Sequence, residues 1–172
     1  MNEKTSLQPR PHQVAAVEAV LGAFEDGQRR VVISLAPGTG TLWPASQLAA
    51  LFGSDIRVLV LVNRVVQQHQ WAELLHADRP GASVELIRSS AAFQTSRAAI
   101  LLSTVQMARK ALNAGDLPTS GFGLVIVDGC EVSDGGLVSQ LDALKVGFTD
   151  LPDRRTLDMF GVKTPAFVYS FA

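Results

Sequence analysis

The sequence predicts a three-layer α/β domain built on a mostly parallel sheet. Two features of its pattern say so. Several short runs, Val31–Leu35, Arg57–Val62 and Leu124–Val127 among them, are continuously apolar and rich in Val, Ile and Leu, as strands covered on both faces must be. These runs alternate with segments of helical period, which is the order of a sheet whose parallel strands are joined by crossover helices. A third feature marks one junction: Val31–Leu35 breaks into Ala36-Pro37-Gly38-Thr39-Gly40-Thr41, and an Ala/Leu-rich helical segment runs from Pro44 to Phe52. Strand, glycine turn and helix in that order form the layout of a phosphate-binding loop, where glycines let the backbone approach an anion and the helix's first amides point at it.

Composition sets the bounds. At 172 residues and 47% hydrophobic content the chain has enough apolar material for one core and one domain. Fifteen basic residues against sixteen acidic ones give a net charge of −1, so any contact with nucleic acid has to be local rather than a bulk electrostatic effect. The single cysteine, Cys130, excludes an internal disulfide and a cysteine-built zinc site, and it suits a reducing, cytoplasmic setting. No signal peptide and no membrane span are expected, because the amino terminus is polar through Arg10 and no apolar run reaches spanning length.

In chain order, Met1–Ser6 reads as a flexible leader and residues 7–172 as a single domain. Pro9 and Pro11 hold Leu7–Pro11 extended. Apolar residues at Val14, Val17, Val20, Leu21 and Phe24 predict an amphipathic helix over His12–Phe24 that ends near Gly27. After the glycine loop come a strand at Arg57–Val62, a helix over Val65–His76, short strands at Val84–Ile87 and Ala99–Ser103, and a helix from Val105 to about Ala114. Leu124–Val127 is the next strand and ends on Asp128. A helix around Leu137–Leu144 and a strand at Val146–Thr149 follow. The tail Thr164–Ala172 reads as one more strand or as the opening of a further element.

Ligands of open parallel sheets bind at the carboxyl ends of the strands, and the residues able to carry chemistry stand there in this reading. They are the glycine loop, Asn63 and Arg64, Thr104 and Gln106, Asp128, and Thr149. An aspartate that ends an apolar strand is the group a phosphate-loop enzyme uses to hold magnesium.

These residues resemble, in order, the motifs of the first RecA-like motor domain of superfamily 2 helicases, of the DEAD/DEAH type related to restriction-enzyme subunits. Leu7–Gln13 with Ala15-Ala16 resembles L-R-P-x-Q-x-x-A, and Ala36–Thr41 resembles A-T-G-T-G-K-T. Val58–Arg64 with Gln67 and Gln68, and Ser103-Thr104-Val105-Gln106, resemble two segments that touch the nucleic-acid backbone. Val125–Glu131 resembles I-V-D-E-C-H, and Phe148–Thr156 resembles L-T-A-T-P-x-R, the motif that couples hydrolysis to movement. The resemblance implies a P-loop NTPase fold and a site for ATP and Mg. In it Gln13 reads the adenine, Gly38, Thr39, Gly40 and Thr41 hold the phosphates, and Thr41 and Asp128 hold the metal. Asn63, Arg64, Thr104 and Gln106 would contact DNA or RNA, and Thr149 and Arg154 would couple the two activities. It also implies a second motor domain, which this sequence does not contain, so this stretch alone is not expected to unwind a duplex.

The departures from the family pattern decide the functional expectation. No lysine follows Gly40. Thr41 aligns either as the metal-binding threonine after a one-residue deletion, the preferred alignment, or as a replacement for the lysine. Gly129 stands where the family carries the glutamate that positions the attacking water, and Asp150 and Leu151 replace small residues of the coupling motif. Damage at three catalytic elements predicts a degenerate ATPase domain that acts as a nucleic-acid-associated or protein-interaction module. Two alternatives stand beside it. One is a weak ATP-binding enzyme in which Arg10, Lys163 or a partner's cation replaces the lysine. The other is a scaffold that binds neither ligand. Trp43 and Trp71 read as packing residues and Cys130 as a buried structural one. His12, His69 and His76 lack metal-ligand spacing, and Arg154 and Arg155 read as an exposed loop.

Overall fold

Alternation of side chains along each apolar run makes two cores, one on each face of a single sheet. In the strand Arg30–Leu35 (β1), Val31, Ile33 and Leu35 face one core and Val32 the other; in Val58–Val62 (β2), Val58, Val60 and Val62 divide in the same way from Leu59 and Leu61. A strand covered on both faces has no polar side to offer water, which explains the unbroken runs of Val, Ile and Leu. The computed structural model describes residues 8–132 and 134–171, so the predicted leader and Leu7 lie outside the described residues.

Helices Pro11–Glu25 (α1), Leu42–Phe52 (α2) and Val65–Asp78 (α3) cover the first core through Ala16, Val20, Leu48, Trp71 and Leu75. The short helix Ala92–Thr95 (α4) and helices Val105–Ala114 (α5), Gly135–Gln140 (α6) and Arg154–Phe160 (α7) cover the second, through Phe93, Ala108, Ala111, Leu137 and Phe160. The remaining strands are Val84–Leu86 (β3), Ile100–Thr104 (β4), Leu124–Asp128 (β5), Leu144–Thr149 (β6) and Phe167–Tyr169 (β7). They form one seven-stranded sheet in the order β3-β4-β2-β5-β6-β1-β7, and every pairing is parallel.

The strand order builds the site. β6 lies between β1 and β5, with Ser34 opposite Thr149 and Asp128 opposite Phe148. The carboxyl ends of strands distant in sequence therefore meet on one edge. On the other side of β5, Val62 at the end of β2 stands opposite Thr104 at the end of β4.

Several expectations are corrected. The helix expected over Leu137–Leu144 is α6, over Gly135–Gln140, because Asp134 caps it by accepting from the Leu137 amide at 3.1 Å and Leu144 is drawn into β6 opposite Leu124. Arg154 and Arg155 open α7 rather than lying in a loop: Asp153 accepts from the Thr156 amide at 2.8 Å and caps that helix. The cap hydrogen bond from the Thr156 amide, foremost, holds the Asp153 carboxyl below the ordinary carboxylate range. α1 begins on Pro11, whose missing amide hydrogen costs nothing at a first helical position. The tail, read as a strand or as the opening of a further element, forms the strand β7 at the edge beside β1.

β6 passes close under α7. A Cβ on Gly147 would fall 2.6 Å from Phe160 Cζ and 2.8 Å from Cys130 Sγ, both fully buried. Gly147→Ala is therefore expected to destabilise the fold by about 1–3 kcal/mol through overpacking. A lower urea midpoint with an unchanged denaturant slope checks this.

Candidate functional site

The glycine loop is held from behind. Thr39 turns back on Ala36, with its amide 3.1 Å and its hydroxyl 2.6 Å from the Ala36 carbonyl. Gly38 and Gly40 take positive φ of 78° and 86°. The Gln13 amide nitrogen donates to the carbonyls of Thr39 at 3.2 Å and Gly40 at 2.9 Å, and its oxygen accepts from the Arg10 amide at 2.9 Å. Both ends of that buried side chain are thus used on the backbone, and a Cβ on Gly40 would lie 2.6 Å from the Gln13 nitrogen. His12 Nε2 lies 3.0 Å from the Thr39 carbonyl, and its ring stacks on Tyr169 with centroids 4.1 Å apart. Thr41 precedes α2, makes no side-chain cap and lines the cleft.

In front of the loop lies a cleft of about 480 Å³. Its charged lining is Asp128, Glu131 and Asp150, and no lysine or arginine lines it among the described residues. Neither Arg10 nor Lys163 reaches it. A triphosphate there would face three carboxylates and no cation, and helix-end amides contribute only about 0.3–1 kcal/mol each way. No group of three or more His, Cys, Asp or Glu is placed to hold a metal among the described residues.

Asp128 is bound into the protein. Trp71 Nε1 donates to its Oδ2 at 2.9 Å. Burial pushes the Asp128 carboxyl above the ordinary range, the Trp71 bond offsets part of that, and the charge of Glu131 adds to it. Glu131 itself has one carboxylate oxygen, Oε2, that is buried without a hydrogen-bond partner. The neighbouring Cys130 is fully buried, and burial together with Glu131 drives its thiol upward, which makes it an inert packing residue.

Gly129 does more than omit a carboxylate. Its φ is +75°, and a Cβ there would fall 2.7 Å from Asn63 Nδ2, which donates to the Gly129 carbonyl at 3.0 Å. Gln67 Oε1 in turn accepts from the amides of Asn63 at 3.1 Å and Arg64 at 2.9 Å. At spacings of four residues, Asn63 just before α3 and Trp71 within it hold the end of β5, and Gln67 between them fixes the backbone of Asn63 and Arg64. That spacing is visible in the sequence, and so is the need of a buried indole for an acceptor. Trp71, read as packing alone, also holds Asp128.

The other sequence-predicted residues are dispersed. Thr104 accepts from the Met107 amide at 3.2 Å and caps α5, in whose first turn Gln106 is exposed, while Arg64 is exposed at the cap of α3, just past the end of β2. The Asn63 side chain turns inward. The Thr149 hydroxyl is buried and is spent on the backbone of Leu151, 3.0 Å from both its carbonyl and its amide. Arg154 stands outside the cleft and is exposed, 3.7 Å from Asp158 in a surface pair worth little.

Residues 6–144 match the sequence model of the ResIII family, the type III restriction enzyme res subunit. The chain belongs to that family. Its fold is the RecA-like motor domain of superfamily 2 helicases. It is similar to a fragment of an HsdR subunit from Vibrio vulnificus YJ016, at 22% identity over 94% of this chain and 30% of that one, TM-score 0.72. It is also similar to the Hef helicase domain of Pyrococcus furiosus, at 17% identity over 94% and 38%, TM-score 0.75. The SWI2/SNF2 ATPase core of Sulfolobus solfataricus, solved in complex with dsDNA, gives 12% identity over 89% and 35%, TM-score 0.71. The chain thus spans about a third of the length of these three, and at such identities the likeness speaks for the fold alone. No individually curated protein matches the sequence. Among the described residues no helix is long and apolar enough to cross a membrane.

Two substitutions test the geometry of this ResIII domain. Trp71→Phe removes the donor to Asp128 and is expected to cost about 1–3 kcal/mol at neutral pH, as loss of a partner to a buried charged acceptor does. Its sign with pH follows from linkage. The folded Asp128 carboxyl already lies above its unfolded value, and losing Trp71 raises it further, so the folded state binds more protons and stability falls as pH rises between the two values. The deficit of Trp71→Phe should therefore shrink on acidification toward pH 4 and widen toward pH 7, read from urea unfolding at each pH. Gly129→Glu should destabilise the fold by about 1 kcal/mol or more through the left-handed backbone and the Asn63 contact, and gain no ATP turnover.

Proposed function

We propose that this chain is a helicase-type motor domain that does not turn over ATP and works as a nucleic-acid-associated module. One observation carries the reading: the cleft at the glycine loop is lined by Asp128, Glu131 and Asp150 with no basic side chain, and Asn63 fills the space a glutamate at position 129 would need. The loop keeps the backbone geometry that cradles an anion, but the side chains present do not fit a magnesium-bound triphosphate. Gln13, engaged at both ends by the backbone, serves here to brace the loop.

Nucleic-acid association is supported by exposed Arg64 and Arg88, just past the carboxyl ends of β2 and β3, on either side of the β4 end, where Thr104 closes the strand and Gln106 lies in the first turn of α5. Two arginines with adjacent amide and hydroxyl groups suit a phosphate backbone. It is supported too by the Sulfolobus relative of the same fold, which was solved with dsDNA. Binding of this kind is local, as a net charge of −1 requires. A partner chain that supplies a second motor domain is compatible with the open cleft, and a cytoplasmic setting accords with the single buried cysteine.

Calorimetric titration with magnesium-ATP and a non-hydrolysable analogue, together with a phosphate-release assay, tests the first half. The natural chain should show no turnover with or without DNA. Insertion of a lysine between Gly40 and Thr41 should add nucleotide binding without turnover, because Gly129 remains. DNA-stimulated phosphate release from the natural chain would overturn the reading. For the second half, DNA affinity should fall with salt, and Arg64→Gln should lower the slope of log K against log salt by about one.

A further inference from the structure

At the opposite end of the sheet from the glycine loop, a second concavity of about 300 Å³ gathers cations in a protein whose net charge is −1. Lys145, the second residue of β6, is only 8% exposed, yet among the described residues its ammonium has neither a hydrogen bond nor an ion pair. It stands opposite Arg30 in the β1–β6 register, and its amide donates to the Arg29 carbonyl at 2.9 Å. The pocket's one carboxylate, Asp142, is paired with Arg29 at 3.5 Å rather than with Lys145. The Arg30 guanidinium rests against Gly161 at the end of α7, where a Cβ would lie 2.9 Å from its Nη1. Gly161 has φ +63°, so glycine both turns the chain there and leaves room for the guanidinium.

We propose that Arg29, Arg30 and Lys145 form a binding site for a phosphate-class oxyanion, separate from the nucleotide cleft. The Lys145 stem is buried while its ammonium opens onto the concavity, and three cations around one carboxylate leave an excess of positive charge that an anion in the pocket would balance. Two guanidinium forks beside a lysine suit an oxyanion with several acceptor oxygens, because arginine binds such groups bidentately. The pocket's volume suits one or two phosphoryl groups. Burial, foremost, and the neighbouring Arg30 hold the Lys145 ammonium below its ordinary range, as expected of a cationic site awaiting its counter-charge. The site stands independently of the proposed function, since none of its residues belongs to the glycine loop or to the exposed row at β2–β4.

The test is titration of the full chain with inorganic pyrophosphate, followed by amide chemical shifts and by melting temperature. Saturable shifts at Arg29, Arg30, Asp142 and Lys145 and a rise in melting temperature are expected. Lys145→Met and Arg30→Gln should each weaken binding by about tenfold or more, as loss of a charge-assisted contact does. Arg30 is exposed, so that variant keeps its fold, and Lys145→Met should melt no lower than the natural protein without ligand. Shifts confined to Gly38–Thr41, no saturable shifts at all, or unchanged affinity in Arg30→Gln would overturn the site. A single-stranded oligonucleotide that displaces pyrophosphate from these amides identifies the source as a nucleic-acid backbone. One that leaves it bound identifies a small phosphorylated molecule.

Discussion

The parallel pairing of β6 with both β1 and β5 is the constraint on which the rest depends. By inserting itself between them, β6 sets the glycine loop, Asp128 and Thr149 along one edge, although about ninety residues of chain separate the first two. Backbone hydrogen bonds fix this register, and the apolar alternation of the strands protects it: a slip by one residue would exchange the side chains that belong to the two cores. Gly147 belongs to the same constraint, for it is the point at which β6 lets Phe160 and Cys130 close the second core.

Around that frame the cleft at the glycine loop is held by contacts within the protein. Polar groups at its border point into the protein: Gln13 toward the loop carbonyls, Asn63 toward the Gly129 carbonyl, Trp71 toward Asp128, Thr149 toward Leu151. A buried polar group without a partner costs free energy, and in this cleft the backbone supplies the partner repeatedly. The left-handed Gly129 is part of that arrangement, since the turn that admits Asn63 leaves no room for a side chain.

Charge is distributed unevenly between the two ends of the sheet. The carboxyl end gathers Asp128, Glu131 and Asp150 beside the glycine loop, whereas the amino end gathers Arg29, Arg30 and Lys145. A net charge of −1, summed over fifteen basic and sixteen acidic residues, does not reveal this local separation. The polarity is local, and it is at this short range that it acts on ligands.

The layers, the parallel character and most of the elements were legible in the chain's local pattern, because continuous Val/Ile/Leu runs and helical periodicity are imposed by local geometry and burial. So were the loop after β1, the missing lysine and the motif order of the ResIII family. Less legible were elements set by a single cap, such as α6 and α7, where Asp134 and Asp153 decide the start and local hydropathy is weak. The strand order, and with it which residues share the cleft, emerged from the folded sheet. The same sheet made Trp71 serve Asp128, set Asn63 in the space beside Gly129, and buried Lys145 beside two arginines. The physical reason is range: periodicity and capping act within a few residues, whereas the contacts of both pockets join segments brought together only when the sheet forms.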